Sequence, residues 1–397
     1  MTDAVIIDVL RLASGKGKPG GAFSGTHPVE LLAHVLRTLV ERNDLDPGLV
    51  DDVIAGCVQQ VGEQSSNIAR NAVLAAGFPE SVPATTIDRA CGSSQQAIHF
   101  AAQGVMAGAY DVVIAAGVES MSRVPMGTST IGHNPLGPSI DRRYPDGLVD
   151  QGISAELIAA SWKIDREAMD EYSAQSHRRA AESAAAGLFD AEVISFPTID
   201  SAGVQGSHTV DETVRAGTTA ERLATLKPAF YTEHDAERFP DLNWSVTAGN
   251  SSPLSDGASA ALIMSEKTAV KLGLTPRARF HSFAVGGDDP VLGLTAPISL
   301  TKKMLTRTGL SIDDLDAYEV NEAFASVPLA WARELGADPE RMNPRGGAIA
   351  LGHALGSSGT RLLGTLLNQL EAKGGRLGLQ TMCERVGLAN ATIIERL

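Results

Sequence analysis

Two kinds of segment alternate along the first third of the chain. Short, nearly continuous apolar runs are typical of buried strands, and longer stretches with an apolar face are typical of helices. The pattern predicts strands at residues 5–9, 53–58 and 111–116, helices at 28–42 and 67–76, and a further helix directly after residue 91. Such an alternation is expected for a sheet that carries helices on both faces.

The pattern changes between residues 121 and 245, where proline, glycine and charged clusters surround one predicted helix at 166–186. A predicted strand at 258–264 then resumes the earlier pattern. We therefore expect an insertion within the first of two similar units. The expected division is an N-terminal half of residues 1–120 and 246–270, an inserted loop subdomain of residues 121–245, and a C-terminal half of residues 271–397.

The second half of the chain resembles the first. The segment 51–55 precedes Cys91 by 40 residues, and the similar segment 313–317 precedes His353 by the same interval. A turn of glycine and serine, a helix of small residues and an apolar strand follow in each case. This agreement favours a duplicated αβ unit, in which two helix N-termini would meet at one pocket.

Composition narrows the class of protein. The 397 residues are 43% hydrophobic and 20% charged, which is typical of a globular protein, and the net charge of −14 argues against nucleic acid as a partner. The three widely spaced cysteines fit neither a disulfide framework nor a metal site. With no evident targeting leader or membrane span, we expect a cytoplasmic protein without membrane partners.

Four residues are candidates for chemistry on their own local context. Cys91 opens a helix, whose dipole and free N–H groups would stabilise a thiolate, and His353 lies in a glycine-rich loop. Cys383 ends a strand, and Asn321 directly follows another. Taken singly, each has a structural alternative: a buried core cysteine, a structural histidine, or a helix cap.

The motifs around these residues carry a family resemblance when they are read together. They are RACGSS around Cys91, TAGNSSPLSDGA at 247–258, NEAFA from Asn321, GGAIALGHALGSSGTR at 346–361, and LQTMC ending at Cys383. In this order the chain resembles the thiolases, the acyl-CoA acetyltransferase family. The resemblance implies an α/β fold, the duplicated five-layer αβαβα architecture, with the insertion binding coenzyme A.

The resemblance also implies roles for the candidate residues. Cys91 would attack the keto carbon of a 3-ketoacyl-CoA, His353 would accept the Cys91 proton, and Cys383 would protonate the departing acetyl-CoA carbanion. One oxyanion hole would be formed by His353 and a water held by Asn321, and the other by the N–H groups of Cys91 and Arg385. The residues implied at the coenzyme A and substrate site are Arg215, Arg222, Ala248, Ser252, Ala323 and Phe324.

Three departures from the family pattern modify these expectations. Asp88 replaces an asparagine and would raise the pKa of Cys91 unless it is paired, for example with Arg89. Arg385 replaces a glycine, and it can serve only if this position does not need a positive φ. The segment 150–156 lacks a His-Met pair of short-chain biosynthetic thiolases, which favours longer or bulkier acyl chains, such as a sterol side chain.

We therefore predict a degradative 3-ketoacyl-CoA thiolase of lipid or sterol side-chain β-oxidation. Alternatives are acetoacetyl-CoA synthesis from two acetyl-CoA molecules, a condensing enzyme of the ketosynthase type, and a non-catalytic acyl-CoA-binding relative. The resemblance implies no permanently bound cofactor, coenzyme A as a substrate, and a homodimer or homotetramer. The segment 53–64 resembles the strand at the family's dimer interface.

Overall fold

The structure is a computed structural model that describes residues 3–199 and 205–397. Small parts of two predicted units, residues 1–2 and 200–204, lie outside the described residues. No helix within the described ranges is both long and apolar enough to cross a membrane.

The strands are β1 Ala4–Leu12, β2 Gly15–Lys16, β3 Asp52–Gly56, β4 Ala84–Ile87, β5 Val112–Ser120, β6 Val193–Ile194, β7 Phe196–Ile199, β8 Gln205–His208, β9 Ser255–Ser265, β10 Ala278–Gly287, β11 Ala317–Val320, β12 Leu377–Glu384 and β13 Leu388–Arg396. The helices are α1 Pro28–Arg42, α2 Ile68–Ala75, α3 Ser93–Met106, α4 Pro138–Arg143, α5 Gln151–Ser161, α6 Arg166–Ala185, α7 Ala220–Ala224, α8 Glu233–Arg238, α9 Glu266–Leu272, α10 Ala296–Thr308, α11 Ser326–Leu335, α12 Ala348–Leu351 and α13 Ser358–Lys373.

Each strand and helix predicted from the apolar pattern is present, with ends shifted by a few residues. The pattern did not predict every element: β4, for example, is a short and only half-buried strand that has no continuous apolar run.

The main strands form two similar halves of one hydrogen-bonded path, in the order β11-β12-β13-β10-β1-β9-β5-β3-β4. In the first half β5 is parallel to β3 and antiparallel to β9, and in the second half β12 is parallel to β11 and antiparallel to β13. The halves join where β1 pairs with β10 over only two residue pairs. The helix–strand spacing is also repeated, since α3 and β5 begin at Ser93 and Val112, while α13 and β12 begin at Ser358 and Leu377.

Three apolar clusters define the layers. One packs α1 and α2 against the outer face of the first half, and another packs α10 and α11 against the outer face of the second. The third lies between the halves and joins α3 and α13 to both sets of strands. Helix, sheet, helix, sheet, helix is therefore the order of layers, and the predicted five-layer α/β architecture is confirmed.

The two central helices approach each other near their N-termini. Gly359 lies so close to the backbone of Gln95 that a Cβ would collide with it, and the Thr360 N–H donates to Ser94 Oγ at 3.1 Å. Glycine is needed at this crossing for space. The contact brings the loop before α3, which carries Cys91, next to the loop before α13, which carries His353.

The strand β3 lies inside the sheet, between β4 and β5, so both of its edges are paired. A strand without a free edge cannot pair with another subunit, so β3 itself cannot form an interface by strand pairing. The resemblance of residues 53–64 to the family's interface segment stays a prediction. The neighbouring strand β4 ends the strand order of the described residues.

Candidate active site

Cys91 lies at the tight turn that opens α3. Ala90 adopts a left-handed φ of 45°, and the turn is fixed by Ala90 N–H donating to Asp88 Oδ1 at 2.7 Å and by Ser93 Oγ donating to Ala90 O at 2.6 Å. The Cys91 side chain is 3% exposed. It belongs to a small buried apolar cluster whose other members come from three parts of the chain: Met121, then Leu355 and Leu362, and Met382.

His353 is buried and held in one orientation. Its Nδ1 lies 2.7 Å from Ser358 Oγ, whose own hydroxyl donates to Ala354 O at 2.8 Å. Because that hydroxyl proton is already used, Ser358 accepts from His353 Nδ1–H, and Nε2 keeps its lone pair. Burial and the nearby Arg361 guanidinium lower the pKa of His353 to about 3. The imidazole is therefore neutral and can act as a base.

Asn321 lies between His353 and Cys383. Its Nδ2 is 3.4 Å from His353 Nε2, and the same side chain lowers the pKa of Cys383. Burial raises the pKa of Cys383 to about 12, an effect that the Asn321 side chain and the Ala323 N–H oppose. Asn321 follows β11 and Cys383 lies in the parallel neighbour β12, so adjacent strand ends place both residues at one edge.

The nucleophile candidate rests as a neutral thiol. Burial raises the pKa of Cys91 well above its usual value, and the nearby Cys383 and Glu384 raise it further. Within the described ranges no hydrogen bond joins the Cys91 and His353 side chains, although Leu355 of the histidine loop belongs to the same buried apolar cluster as Cys91. A neutral thiol beside a neutral imidazole requires proton transfer before attack, which fits a cysteine activated only when substrate is bound.

The comparisons with known proteins agree with this arrangement. Residues 4–267 match the family described as thiolase, N-terminal domain, and residues 274–396 match thiolase, C-terminal domain. The chain belongs to the thiolase family.

Relatives of known name cover the whole chain. A steroid 3-ketoacyl-CoA thiolase, FadA6 of Mycobacterium tuberculosis, is 48% identical, and the match covers 100% of this chain and 95% of that protein. A 3-ketoacyl-CoA thiolase of Klebsiella pneumoniae is 44% identical, with both chains covered fully. The crystal structure of the Bacillus anthracis acetyl-CoA acetyltransferase superimposes with a TM-score of 0.88 at 36% identity, covering 100% of this chain and 99% of that one.

The second predicted oxyanion hole of this thiolase consists of the N–H groups of Cys91 and Arg385. Arg385 lies in the turn between β12 and β13, and the positive φ values of that turn fall on Val386 (65°) and Gly387 (76°). Arg385 therefore does not occupy the conformation that favours glycine, and its side chain is exposed. Among the described residues, the N–H groups of Cys91 and Arg385 donate no hydrogen bond.

The predicted coenzyme A residues of this thiolase fall into two groups. Ser252 N–H donates to Ala323 O at 2.9 Å, and Phe324 packs edge-on against Phe230 at 5.7 Å between centroids, so the loop with Ala248 lies beside the loop that follows Asn321. Arg215 and Arg222 are exposed side chains before and within α7, and the guanidinium of Arg222 donates to Gly217 O at 2.9 Å. The helix α7 packs against the loop with Ala248, because a Cβ on Gly249 would collide with Leu223.

Asp88 acts differently from the expectation based on sequence. Its carboxylate accepts from Ala90 N–H, and no ion pair with Arg89 occurs in the described part of the chain. Together with burial and Glu119, Asp88 raises the pKa of Cys57 rather than being a leading influence on Cys91. The carboxyl group with the larger effect on Cys91 is Glu384, which the sequence did not single out.

The sequence analysis assigned no role to two further residues of the site, Ser358 and Glu322. Ser358 sets the tautomer of His353, and Glu322 accepts hydrogen bonds from Tyr172, Ser176, Asn343 and the Ile349 N–H. Glu322 thereby ties the Asn321 loop to the glycine-rich loop that precedes His353. The sequence offered one indication of their importance, which is that Glu322 lies in the NEAFA motif and Ser358 in the glycine-rich motif around His353.

Proposed function

We propose that the chain is a degradative 3-ketoacyl-CoA thiolase, which cleaves a 3-ketoacyl-CoA with coenzyme A through an acyl-enzyme on Cys91. The observation that carries the proposal is the meeting of a buried thiol at the α3 N-terminus, a neutral histidine that contacts Asn321, and a second thiol near Asn321 and Cys91. The full-length relatives named 3-ketoacyl-CoA thiolase support the same direction of reaction.

The first half-reaction would acylate Cys91. His353 Nε2 takes the Cys91 proton, and the thiolate attacks the keto carbon to give an alkoxide. Donors that point at this oxygen lower the barrier by several kcal/mol, roughly 2.7–4 kcal/mol for one donor. The carbon–carbon bond then breaks, the acyl group stays on Cys91 as a thioester, and the acetyl-CoA enolate takes a proton from Cys383.

The second half-reaction would return Cys91, His353 and Cys383 to their starting protonation states. The Cys383 thiolate takes the proton of the coenzyme A thiol, and the coenzyme A thiolate attacks the acyl group. Collapse of that intermediate releases the shortened acyl-CoA, and the Cys91 thiolate recovers its proton from the His353 imidazolium. The raised pKa of Cys383, about 12, makes its thiolate a strong base, which suits it to exchange a proton with carbon.

The insertion supports a substrate bulkier than an acetyl group. The Glu156 carboxylate has a structural role, because it accepts hydrogen bonds from the N–H groups of Ser245 (2.9 Å) and Val246 (2.7 Å). Gly152 lies against the Phe230 ring, where a Cβ would collide. Asp150 and Gln151 stand where short-chain members carry His-Met. The relative named as a steroid thiolase supports a bulkier substrate.

Acetoacetyl-CoA synthesis from two acetyl-CoA molecules is the second candidate, since the superimposed Bacillus anthracis structure is named an acetyl-CoA acetyltransferase. The same residues would serve, with Cys383 removing the α-proton. A non-catalytic acyl-CoA-binding protein is the remaining alternative, and it would bind substrate without forming an adduct.

The further attributes of the proposal rest on composition and surface. We propose coenzyme A as substrate with no permanent cofactor, and the domain division given above. The three free cysteines suit a reducing, cytoplasmic compartment, and the net charge of −14 disfavours nucleic acid. The half-buried edge strand β4 and the 44% exposed Phe100 suit a homodimer or homotetramer.

Thiolysis kinetics test the proposed function. Coenzyme A-dependent consumption of short, long and sterol-derived 3-ketoacyl-CoAs is expected, with the highest kcat/KM for the long or sterol-derived substrates. Preferred acetoacetyl-CoA formation would favour the second candidate. Binding of acyl-CoA without turnover in either direction would contradict both enzymatic assignments.

A further inference from the structure

Glu384 is a buried carboxyl group beside both reactive thiols. It is the last residue of β12, it directly follows Cys383, and it is 0% exposed. Neither carboxyl oxygen makes a hydrogen bond within the described residues. Because side chains alternate along a strand, Glu384 lies on the same face as Met382, which belongs to the same buried apolar cluster as Cys91.

The carboxyl group sits against the N-terminus of the nucleophile's helix. A Cβ on Gly92, the N-cap residue of α3, would collide with Glu384 Oε1 and would lie 2.7 Å from Asn390 Nδ2. Gly92 has an ordinary φ of −86°, so glycine is needed there for space and not for backbone conformation. Glu384 thus occupies the room that Gly92 leaves.

The duplicated fold offers an internal comparison. Glu119 and Glu384 are each the eighth residue of corresponding strands, β5 and β12. Glu119 accepts from the N–H groups of Val58 (2.9 Å), Gln59 (3.1 Å) and Gly356 (2.9 Å) and from Gln64 Nε2 (2.8 Å). The fold therefore places a carboxyl group twice below a helix N-terminus of the opposite half, once with four N–H donors and once, among the described residues, with no donor.

A buried carboxylate without donors is unfavourable, so the neutral acid is the stable form of Glu384. The charged or titratable groups that face it are Arg89 and Asp88 from the loop before α3, with Cys91 and Cys383 beside it. Burial raises the pKa of Glu384 to about 8, Arg89 lowers it and Asp88 raises it.

We propose that Glu384 is a positioning residue that keeps its proton at neutral pH, leaves the α3 N-terminus free to stabilise the Cys91 thiolate, and suppresses that thiolate when it ionises in mildly alkaline solution. It acts through Cys91 and touches no substrate. The inference deepens the proposed function, since it rests on Cys91 as the nucleophile. It would set the upper pH limit of acylation.

The pH dependence of Cys91 alkylation tests this directly. Iodoacetamide modification of the Cys91 peptide is followed by mass spectrometry from pH 6 to 10, without acyl-CoA, in the wild type, Glu384→Gln and Glu384→Asp. Since the thiolate is the reactive form, Glu384→Gln is expected to move the midpoint down by about one pH unit. Glu384→Asp keeps a carboxyl group and is expected to stay near the wild type.

An unchanged midpoint in Glu384→Gln would overturn the proposal, and so would a rate change of the same factor at every pH, which a structural defect would give. Because the readout needs no substrate, a failure here is separate from a failure of thiolysis.

Stability measured against pH gives a second test. The folded-state pKa of Glu384 lies above the unfolded value, so the wild type loses stability as pH rises from about 5 to 8. Glu384→Gln has no carboxyl group to ionise and lacks this loss. The Tm of the variant minus that of the wild type is therefore expected to rise between about pH 5 and pH 8 and to stay constant at higher pH. The matched variant Glu119→Gln replaces a carboxylate that accepts from four N–H donors and is expected to lower Tm. A drop in Tm at pH 8 for Glu384→Gln, like that of Glu119→Gln, would contradict the proposal.

Discussion

At the scale of single residues, the reactivity of the site depends on which proton each group holds. His353 is neutral because it is buried near Arg361, and its tautomer follows from Ser358, whose hydroxyl proton is already donated to Ala354 O. The motif predicted His353 from sequence, but its tautomer depends on a side chain five positions along the loop. Such a hydrogen bond cannot be read from spacing alone.

Replacement of Ser358 tests this account of the base. Ser358→Ala removes the acceptor of Nδ1–H and frees the ring to rotate, so we expect the rate of Cys91 acylation to fall about 10- to 100-fold. Ser357→Ala is the control, because it removes a neighbouring buried hydroxyl that bonds Ser259 instead. Equal losses in both variants, measured by stopped-flow acylation, would refute the role of Ser358.

Replacement of Cys383 tests the proton transfer to carbon. Cys383→Ala is expected to acylate at Cys91 from acetyl-CoA but to lose exchange of the acetyl α-protons, since no other assigned group supplies that base. Deuterium incorporation into acetyl-CoA in D₂O, followed by mass spectrometry, is the measurement. Retained exchange would refute the assigned role.

At the scale of elements, the turn between β12 and β13 decides whether position 385 needs the positive φ that favours glycine. The apolar pattern predicted the strand before this turn, but it could not show which residue takes a positive φ. The structure assigns that conformation to Val386 and Gly387. A β-branched side chain in the left-handed region is strained, at roughly 1–3 kcal/mol.

Relief of this strain is measurable. Val386→Gly is expected to raise the free energy of unfolding by about 1 kcal/mol in urea titrations, because glycine accepts a φ of 65° without the steric penalty. Val285→Gly is the matched control. It makes the same change at a 45% exposed position within β10, where glycine weakens a strand and should lower stability. Destabilisation by both variants would argue against strain at Val386.

At the scale of the whole molecule, buried charges join the insertion to the sheet. Arg11 of β1 binds Glu192 at 2.7 Å and Asp211 at 2.8 Å, and all three side chains are buried. Composition and periodicity predicted the layers and the duplication, because those follow from apolar positions. They could not predict this contact, or the burial of Glu384, because pairing across long separations leaves no periodic signal.

Loss of one partner of this network should be severe. Asp211→Asn leaves part of the Arg11 charge uncompensated in the interior, and we expect a loss of about 3–5 kcal/mol in the free energy of unfolding. The comparison is Glu334→Gln, which breaks the exposed pair with Lys302 (2.7 Å) and should change stability by less than about 1 kcal/mol. Similar small effects in both variants would contradict a structural role for the buried network.

The central claim is that Cys91 forms the acyl-enzyme. Peptide mass spectrometry after mixing with acetyl-CoA tests it most directly. We expect an acetyl thioester on the peptide that contains Cys91, in the wild type and in Cys383→Ala, and none in Cys91→Ser. A wild-type protein without an adduct, or with the adduct on Cys57 or Cys383 instead, would contradict the account.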